Sequence, residues 1–514
     1  MSELLPELVA PVAAIYREAI CSHEWPECYK QERHLPIKKK QEPESEDDIR
    51  TLGLTAFFSK RLEAILIKWI WPFILPHLSK DQMGGIPESS VVHYLTRMIH
   101  WILKKTDNNS KEPTAVLASL IDFSKGFNRM SPVILVTLLS DLNIPTCALR
   151  LIISYLTNRS MVTTFNGAVS DSQHLCGGGP QGSLLIVLLF CLQVDKAGEP
   201  CPKVNGNPAL PNGQFGPEPE PVYLEPLKLC QQEELTEKKI YIDDLTELEA
   251  VPLDSSLVYI GDFSPPCGPL NYHERFGLVL PKEKSILQHK LQDMLEFTQV
   301  NMMKVNKKKT MIMPFNFTTS RDFIPWLHFP EEDPLNVVYE TKLLGVTLRS
   351  DLSFSSHVDI ISRKASQSLW VILRFRDMGA SRHQLLSLWQ QKGRSILEFA
   401  SPVFFSKLTV EQSQQLEDCQ RKAFAIILDT SYRSYDSSLK ILEQQTLSDR
   451  RILAATKFGE KCVNNSKHSD MFPKMPSVRY SLRNRKPYQE YFCHTNRFYQ
   501  SSLPAKTRLL NNQH

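Results

Sequence analysis

The pattern of apolar and polar positions divides the chain at about residue 350. Before that point, short dense apolar runs alternate with turn-forming residues. The run in "TAVLASLIDFSKGFNRM" (114–130) reads as a buried strand that ends at Asp122 and is followed by a helix-compatible segment. "AILIKWIWPFILPHL" (64–78), broken by Lys68, Pro72 and Pro76, and "LLIVLLFCLQV" (184–194) predict buried helices; the second is too short to span a bilayer. Residues 197–226 are rich in Pro and Gly, have no hydrophobic period and predict an extended loop. Beyond 350 the period becomes helical. Val358, Ile361, Ala365, Leu369 and Ile372 share one face while Arg363, Lys364, Arg374 and Arg376 point elsewhere, and a second helix opens at Thr409 to bury Leu416, Cys419, Ala423 and Ile427.

Composition narrows the class. A chain of 514 residues has room for two or three domains, and a net charge of +4 does not by itself declare a nucleic-acid binder, so any basic surface must be local. The first residues lack a basic segment followed by a small-residue cleavage site, which predicts an intracellular protein with no membrane segment. Eleven cysteines without a C-x-x-C pair suit free thiols in a reducing compartment. Cys462, His468, Cys493 and His494 could be drawn as a zinc site, though at irregular spacing.

Three stretches carry chemistry. In "KKIYIDDLTELEA" (238–250), Asp243 and Asp244 follow the strand-like run Ile240-Tyr241-Ile242. An exposed hairpin turn would also accommodate Asp-Asp. Adjacent like charges repel, however, and Asp122 at the end of a buried strand is costly unless paired or bound to a cation. If the two strands are neighbours, the three carboxylates form an oxygen-rich site suited to Mg²⁺. Between them in the chain, "CGGGPQGSLLIVLLF" (176–190) is either a plain glycine-rich turn before a core helix or a turn that approaches a ligand and offers Gln181 as a hydrogen-bonding group.

Asp-Phe-Ser-Lys-x-Phe, then Pro-Gln-Gly-Ser, then Tyr-x-Asp-Asp, in that order, resembles the reverse transcriptase of LINE-type (non-long-terminal-repeat) retrotransposons. "WPECYKQERHLPIKK" and "DIRTLGLTAFFSKRLEAIL" resemble its fingers, "VNKKKTMIMPF" (305–315) its Asn-x-x-Lys-Thr palm motif, "TKLLGVTL" (341–348) its primer-grip region, and "LEFASPVFFSKLT" and "LEDCQRKAFAIIL" its helical thumb and connection. The resemblance implies an α+β right-hand polymerase with fingers over 1–110, an antiparallel-sheet palm over 111–349 interrupted by a long loop at 197–239, a helical thumb and connection over 350–475, and a basic aromatic tail over 476–514. It implies an RNA-directed DNA polymerase with RNA template, DNA primer and deoxynucleoside triphosphates as partners and two Mg²⁺ ions as cofactors, held by Asp122, Asp243 and Asp244.

Further roles follow from the same resemblance. Phe127 matches the steric gate against a ribose 2′-hydroxyl, Gln181 the residue beside the incoming sugar and base, Lys38 and Arg50 the fingers cations on the triphosphate, and Lys309 the palm lysine that protonates pyrophosphate. The chain departs from the pattern at Ile186, where a glycine is usual, at Asn128, where a second aspartate is frequent, and in the length of the loop before Tyr-x-Asp-Asp. No endonuclease, ribonuclease H or zinc-knuckle pattern is found, so the chain looks like a retroelement fragment or host-captured copy, its endonuclease either lost or supplied as a separate partner. A catalytically silent nucleic-acid-binding remnant and an unrelated helical scaffold are the competing readings. In the tail, arginines interleaved with aromatics suit RNA or, equally, a basic strip packed on the thumb.

Overall fold

The computed structural model describes residues 5–38, 40, 42–45, 48–107, 114–175, 177–180, 182–195, 197, 236–241, 244–252, 258–260, 277–279, 285–317, 322–324, 327–329, 334–476 and 486–513. In chain order they form α1 (Leu5–Ser22), β1 (Gln31–Lys38), β2 (Ile49–Leu54), α2 (Phe57–Ile74), α3 (Val91–Lys105), β3 (Thr114–Ile121), α4 (Pro132–Ser140), α5 (Thr146–Leu156), β4 (Arg159–Phe165), β5 (Ala168–Val169), β6 (Gln173–Leu175) and α6 (Leu184–Val194). There follow β7 (Thr236–Tyr241), β8 (Asp244–Pro252), β9 (Val258–Ile260), β10 (Gly277–Val279), α7 (Ile286–Val300), β11 (Met311–Phe315), β12 (Asp322–Ile324), β13 (Asn336–Val337), β14 (Glu340–Leu343) and β15 (Val346–Arg349). The remainder is helical: α8 (Ser355–Asp377), α9 (Arg382–Trp389), α10 (Val410–Leu428), α11 (Tyr435–Ile441), α12 (Leu447–Val463) and α13 (Ser502–Asn511), with shorter turns between.

The central sheet has the order β13-β11-β3-β8-β7, and β3 pairs antiparallel with both β8 and β11. Its middle position explains the nearly continuous apolar run at 115–121, interrupted only by the small, buried Ser119. Ala115, Leu117 and Ile121 enter one core with Leu185 and Leu189 of α6 and Leu287 and Leu291 of α7; Val116 and Ala118 enter a second core with Tyr94, Leu95 and Met98 of α3. A strand covered on both faces needs apolar residues at every position rather than at alternate ones. A second sheet, ordered β2-β1-β4-β5 with β6 also on β4, joins β1 and β4 in parallel. That parallel pairing is closed by a buried ion pair, Arg159 Nε to Glu32 Oε1 at 2.9 Å.

Helix α8 buries Val358, Ile361, Ala365 and Ile372 against Leu416, Cys419, Ala423 and Ile427 of α10, the faces their spacing predicts. Thr409 and Gln412 form the capping box that starts α10. Helix α2 differs from expectation: its buried stripe is Ser59, Leu62, Glu63, Leu66, Ile70 and Ile74, while Ile65 and the following Leu75 are exposed. Among the described residues no helix is long and apolar enough to cross a membrane.

Residues 486–513 return to the body of the protein. Asp107, just after α3, accepts from the backbone N–H groups of His494 (2.7 Å) and Thr495 (2.8 Å), and α13 packs on α12 and α3. Lys506 is fully buried, its Nζ 3.2 Å from Thr96 Oγ1 and 4.1 Å from the centre of the Phe458 ring. Arg497 lies over Phe317 and Arg508 over Tyr499. This is the packed arrangement of the basic strip; Arg479, Arg483 and Arg485 lie outside the described residues. The residues drawn as a zinc site do not converge. Cys462 is buried in a small apolar core, His468 stacks on His93 and Cys493 donates to the Tyr491 carbonyl, and no cluster of three His, Cys, Asp or Glu suited to a metal occurs among the described residues.

Candidate active site

The register of the central sheet brings the acids together. Ile121, the last residue of β3, lies opposite Leu245 of β8, so the next residue along, Asp122, is set opposite Asp244. Directly opposed residues in antiparallel strands have α-carbons about 4.5–5.5 Å apart. Two carboxylates separated by more than a hundred residues in the chain thus share one end of the sheet. Asp244 also opens β8 opposite Tyr241 of β7; Asp243, between them in sequence, lies outside the described residues. Asp122 has a third of its side chain exposed, so its oxygens are open to a ligand.

Lys309 joins them. Its ammonium lies 3.4 Å from Asp122 Oδ2 and is two-thirds exposed. The segment carrying it is fixed by the backbone: Asn306 N–H donates to the Asp122 carbonyl (2.7 Å), Ser124 N–H donates to the Lys304 carbonyl (2.8 Å), and Lys309 N–H closes a turn on Asn306 (3.0 Å). The Asn-x-x-Lys-Thr spacing therefore does what its separation permits, since the asparagine backbone holds the acid and the lysine side chain reaches back to it.

Phe127 lies in the single turn Gly126–Arg129 just after Asp122, half-buried, with its ring 4.7 Å from that of Phe190 in α6. The glycine-rich turn is bound to this same loop: Gly178 N–H donates to Met130 O (2.9 Å) and Gly179 N–H to Phe127 O (3.0 Å). Ile186 is accommodated here rather than obstructive. A β-carbon on Gly179 would stand 2.5 Å from Ile186 Cδ1, so the isoleucine fills the space that the missing side chain of Gly179 leaves. Gln181 is outside the described residues.

Lys38 is exposed at the end of β1, and Arg50 lies on β2 opposite Ile37, which places the two cations on neighbouring strands one register position apart; the Arg50 side chain is outside the described residues. The structure therefore brings Asp122, Asp244 and Lys309 together, ties Phe127 to the turn before α6, and puts Lys38 and Arg50 on neighbouring strands of the second sheet without pairing them in register. A cavity of about 940 Å³ beneath α1 is lined by Glu18, Trp25 and Arg150 and by none of these residues.

Sequence reasoning missed Glu63. It is fully buried in α2, and its Oε2 accepts from Ser183 Oγ (2.7 Å) and from the N–H groups of Leu184 (2.9 Å) and Leu185 (3.3 Å) at the start of α6. A signal was present: an acid at helical spacing from Ser59, Leu62, Leu66 and Ile70 falls on the buried stripe, not the wet face.

Residues 37–224 match the family Reverse transcriptase (RNA-dependent DNA polymerase), a span that includes Lys38, Arg50, Asp122, Phe127 and Gln181. The chain is 31% identical over 161 residues to the probable RNA-directed DNA polymerase from transposon X-element of Drosophila melanogaster, covering 31% of this chain and 17% of that protein. Similar solved structures include apo telomerase from Candida tropicalis (10% identity, TM-score 0.41, covering 90% of this chain and 68% of that one) and telomerase from Candida albicans in complex with a TWJ fragment of telomeric RNA (10% identity, TM-score 0.32, 89% and 67%). The fold is α+β. Residues 37–224 match the reverse transcriptase family model, and the chain spans less than a fifth of the length of the transposon polymerase it is similar to.

Proposed function

We propose that the chain is an RNA-directed DNA polymerase core that extends a DNA primer 3′-hydroxyl along an RNA template by two-metal nucleotidyl transfer. The observation that carries the reading is the register that opposes Asp122 to Asp244, with the Lys309 ammonium 3.4 Å from Asp122. Reverse transcriptases work with divalent metal ions, and a donor set made only of carboxylate oxygens fits Mg²⁺; we assign two ions to Asp122, Asp243 and Asp244. Bound there, such ions lower the pKa of the attacking hydroxyl and neutralise the leaving pyrophosphate.

The chain's own residues do the rest. Asp122 and Asp244 supply the negative site on a rigid sheet end, so its geometry costs nothing to assemble at the moment of reaction. Lys309 is placed to hand a proton to the leaving group. Lys38 and Arg50 grip the triphosphate from the second sheet, Gln181 sits beside the sugar and base, and Phe127 closes the space of a 2′-hydroxyl.

The test is extension of oligo(dT) on poly(rA) by the purified chain with Mg²⁺ and deoxythymidine triphosphate. Extension is expected in the wild type and its loss to background in Asp122→Asn, with affinity for the hybrid retained. Hybrid binding without any extension in the wild type would instead establish a silent nucleic-acid-binding remnant.

A further inference from the structure

We propose that Glu63 is a positioning residue for nucleotide binding: it anchors the turn carrying Gln181 and locks that turn to the sheet bearing Lys38 and Arg50. The inference rests on the polymerase reading above. Its starting point is a cost, because a carboxylate removed from water is strongly unfavourable unless its oxygens are satisfied. Glu63 is fully buried, and its satisfaction comes from the first N–H groups of α6, from Ser183 Oγ and, through its other oxygen, from Ser59 Oγ at 3.4 Å. The first N–H groups of a helix lack partners within it and attract negative charge. Ser183 already caps α6 by accepting from Ile186 N–H (3.0 Å). A second cap, charged and borne by another helix, adds something the first cannot, since it fixes where the end of α6 stands relative to α2.

That constraint matters because the first two turns of α6 are apolar, with Leu185, Ile186, Leu188, Leu189 and Phe190 buried, and its one buried amide, Gln193, ties only the far end, to the Asn301 carbonyl. An amphipathic helix is oriented by its polar face; an apolar stretch without one can rotate or slide among packings of similar energy. The polar anchor at its first turn selects one of them. Ser183 is two residues beyond Gln181, and its N–H donates to the Pro180 carbonyl (3.1 Å), so the anchor acts directly on the turn.

The same turn is held against the nucleotide-gripping strands. Gly182 has φ +113°, and a β-carbon there would stand 3.1 Å from the carbonyl of Gly53 in β2. Ser183 Oγ, besides donating to Glu63, accepts from Tyr155 O–H (2.7 Å). The Arg159 guanidinium lies over the Tyr155 ring, donates to the Tyr155 carbonyl (3.0 Å) and pairs with Glu32 in β1. A continuous buried chain, Glu32, Arg159, Tyr155, Ser183, Glu63, therefore connects the strand that ends in Lys38 with the turn that carries Gln181. Each member bonds the next, with Arg159 Nη2 alone left unpaired among the described residues, so the network fixes the spacing of the two elements.

The experiment measures nucleotide affinity without turnover, in a ternary complex of the full chain, a poly(rA) hybrid with a 3′-dideoxy-terminated primer, and the matching deoxynucleotide. Glu63→Gln and Ser183→Ala are each expected to raise the nucleotide Kd about ten-fold while hybrid Kd changes less than about two-fold, and the double variant to fall well short of the product because both break one contact. Glu63→Asp, which keeps the charge, is expected to recover part of the loss. Unchanged nucleotide affinity in both single variants, with only a lowered unfolding midpoint, would overturn the inference and leave Glu63 a structural cap. Ser183→Ala keeps the test open should Glu63→Gln unfold. A wild type that binds nucleotide in this complex but never extends an unblocked primer would sink the polymerase reading alone, because the affinity comparison stands without chemistry.

Discussion

Asp122 and Glu63 show which acids declare themselves in a sequence. Asp122 closes an apolar run, and at the end of a strand covered on both faces an acid must emerge where something can neutralise it, so its importance is readable from the pattern alone. Glu63 sits inside an apolar helix whose opposite face is wet, and only the choice of stripe, decided by packing against α6, turns it inward. Ile186 reverses the expectation in another way. Its bulk is matched by Gly179, so Gly179→Ala should force the two apart and disturb the turn, whereas Ile186→Gly should open a cavity costing about 2–4 kcal/mol in a urea unfolding midpoint. Phe127 is the residue whose role geometry and chemistry share. Its ring rests on Phe190, so Phe127→Val should lower stability by about 1 kcal/mol, and if the ring also gates the sugar, the ratio of ribonucleotide to deoxynucleotide incorporation should rise at least about ten-fold. A stability loss with that ratio unchanged would leave Phe127 as core packing only.

At the scale of elements, one device recurs: a buried carboxylate from one segment caps a helix of another. Glu249 of β8 accepts from Ser285 Oγ, Ile286 N–H and Leu287 N–H at the start of α7; Glu417 of α10 accepts from Leu447 and Ser448 N–H at the start of α12; Asp107 receives the turn before residues 496–499. Burial raises the pKa of Glu249 above the ordinary glutamate value, and the N–H and hydroxyl donors pull it back. Removing such a cap leaves N–H groups buried without partners, so Glu249→Ala should cost about 1–3 kcal/mol, read from the denaturant midpoint, where an exposed glutamate would cost a few tenths. These links explain what was and was not legible. The strand at 114–121 and helices α8 and α10 follow from local period, because each buries its own face. The parallel pairing of β1 with β4, the cross-caps and the opposition of Asp122 to Asp244 depend on partners far away in sequence, which periodicity does not encode.

Across the whole molecule, the C-terminal segment closes back on α3, and the closure is built around buried bases whose proton affinity burial lowers. His93 of α3 and His468, after α12, stack with ring centres 4.0 Å apart; Ser90 Oγ meets His93 Nδ1 and Ser89 Oγ meets His468 Nε2, each at 2.9 Å. Burial first, then the neighbouring His468, Lys506 and Arg97, pushes His93 down to about 3; burial, then Arg97 and Lys467, pushes His468 down to about 4. Lys506, fully buried in the same junction, is lowered by burial to about 7. All three bases have folded values below their unfolded ones, so wherever pH lies between the two values the unfolded chain holds more protons and stability falls as pH falls. For Lys506 that window runs from about 10.4 down to 7, and for the histidines from about 6.5 down to the region of 3 to 4. At pH 5 each histidine should therefore weaken the fold by up to about 2 kcal/mol relative to pH 8. The measurement is the free energy of unfolding in urea at pH 8, 6.5 and 5 for the wild type and for His93→Phe with His468→Phe, which retains stacked rings but cannot take up protons. The wild type should lose stability steeply below pH 6.5 and the double variant distinctly less; parallel pH profiles would mean that the histidines reach water in the folded protein and that the C-terminal segment is not closed over α3 in solution.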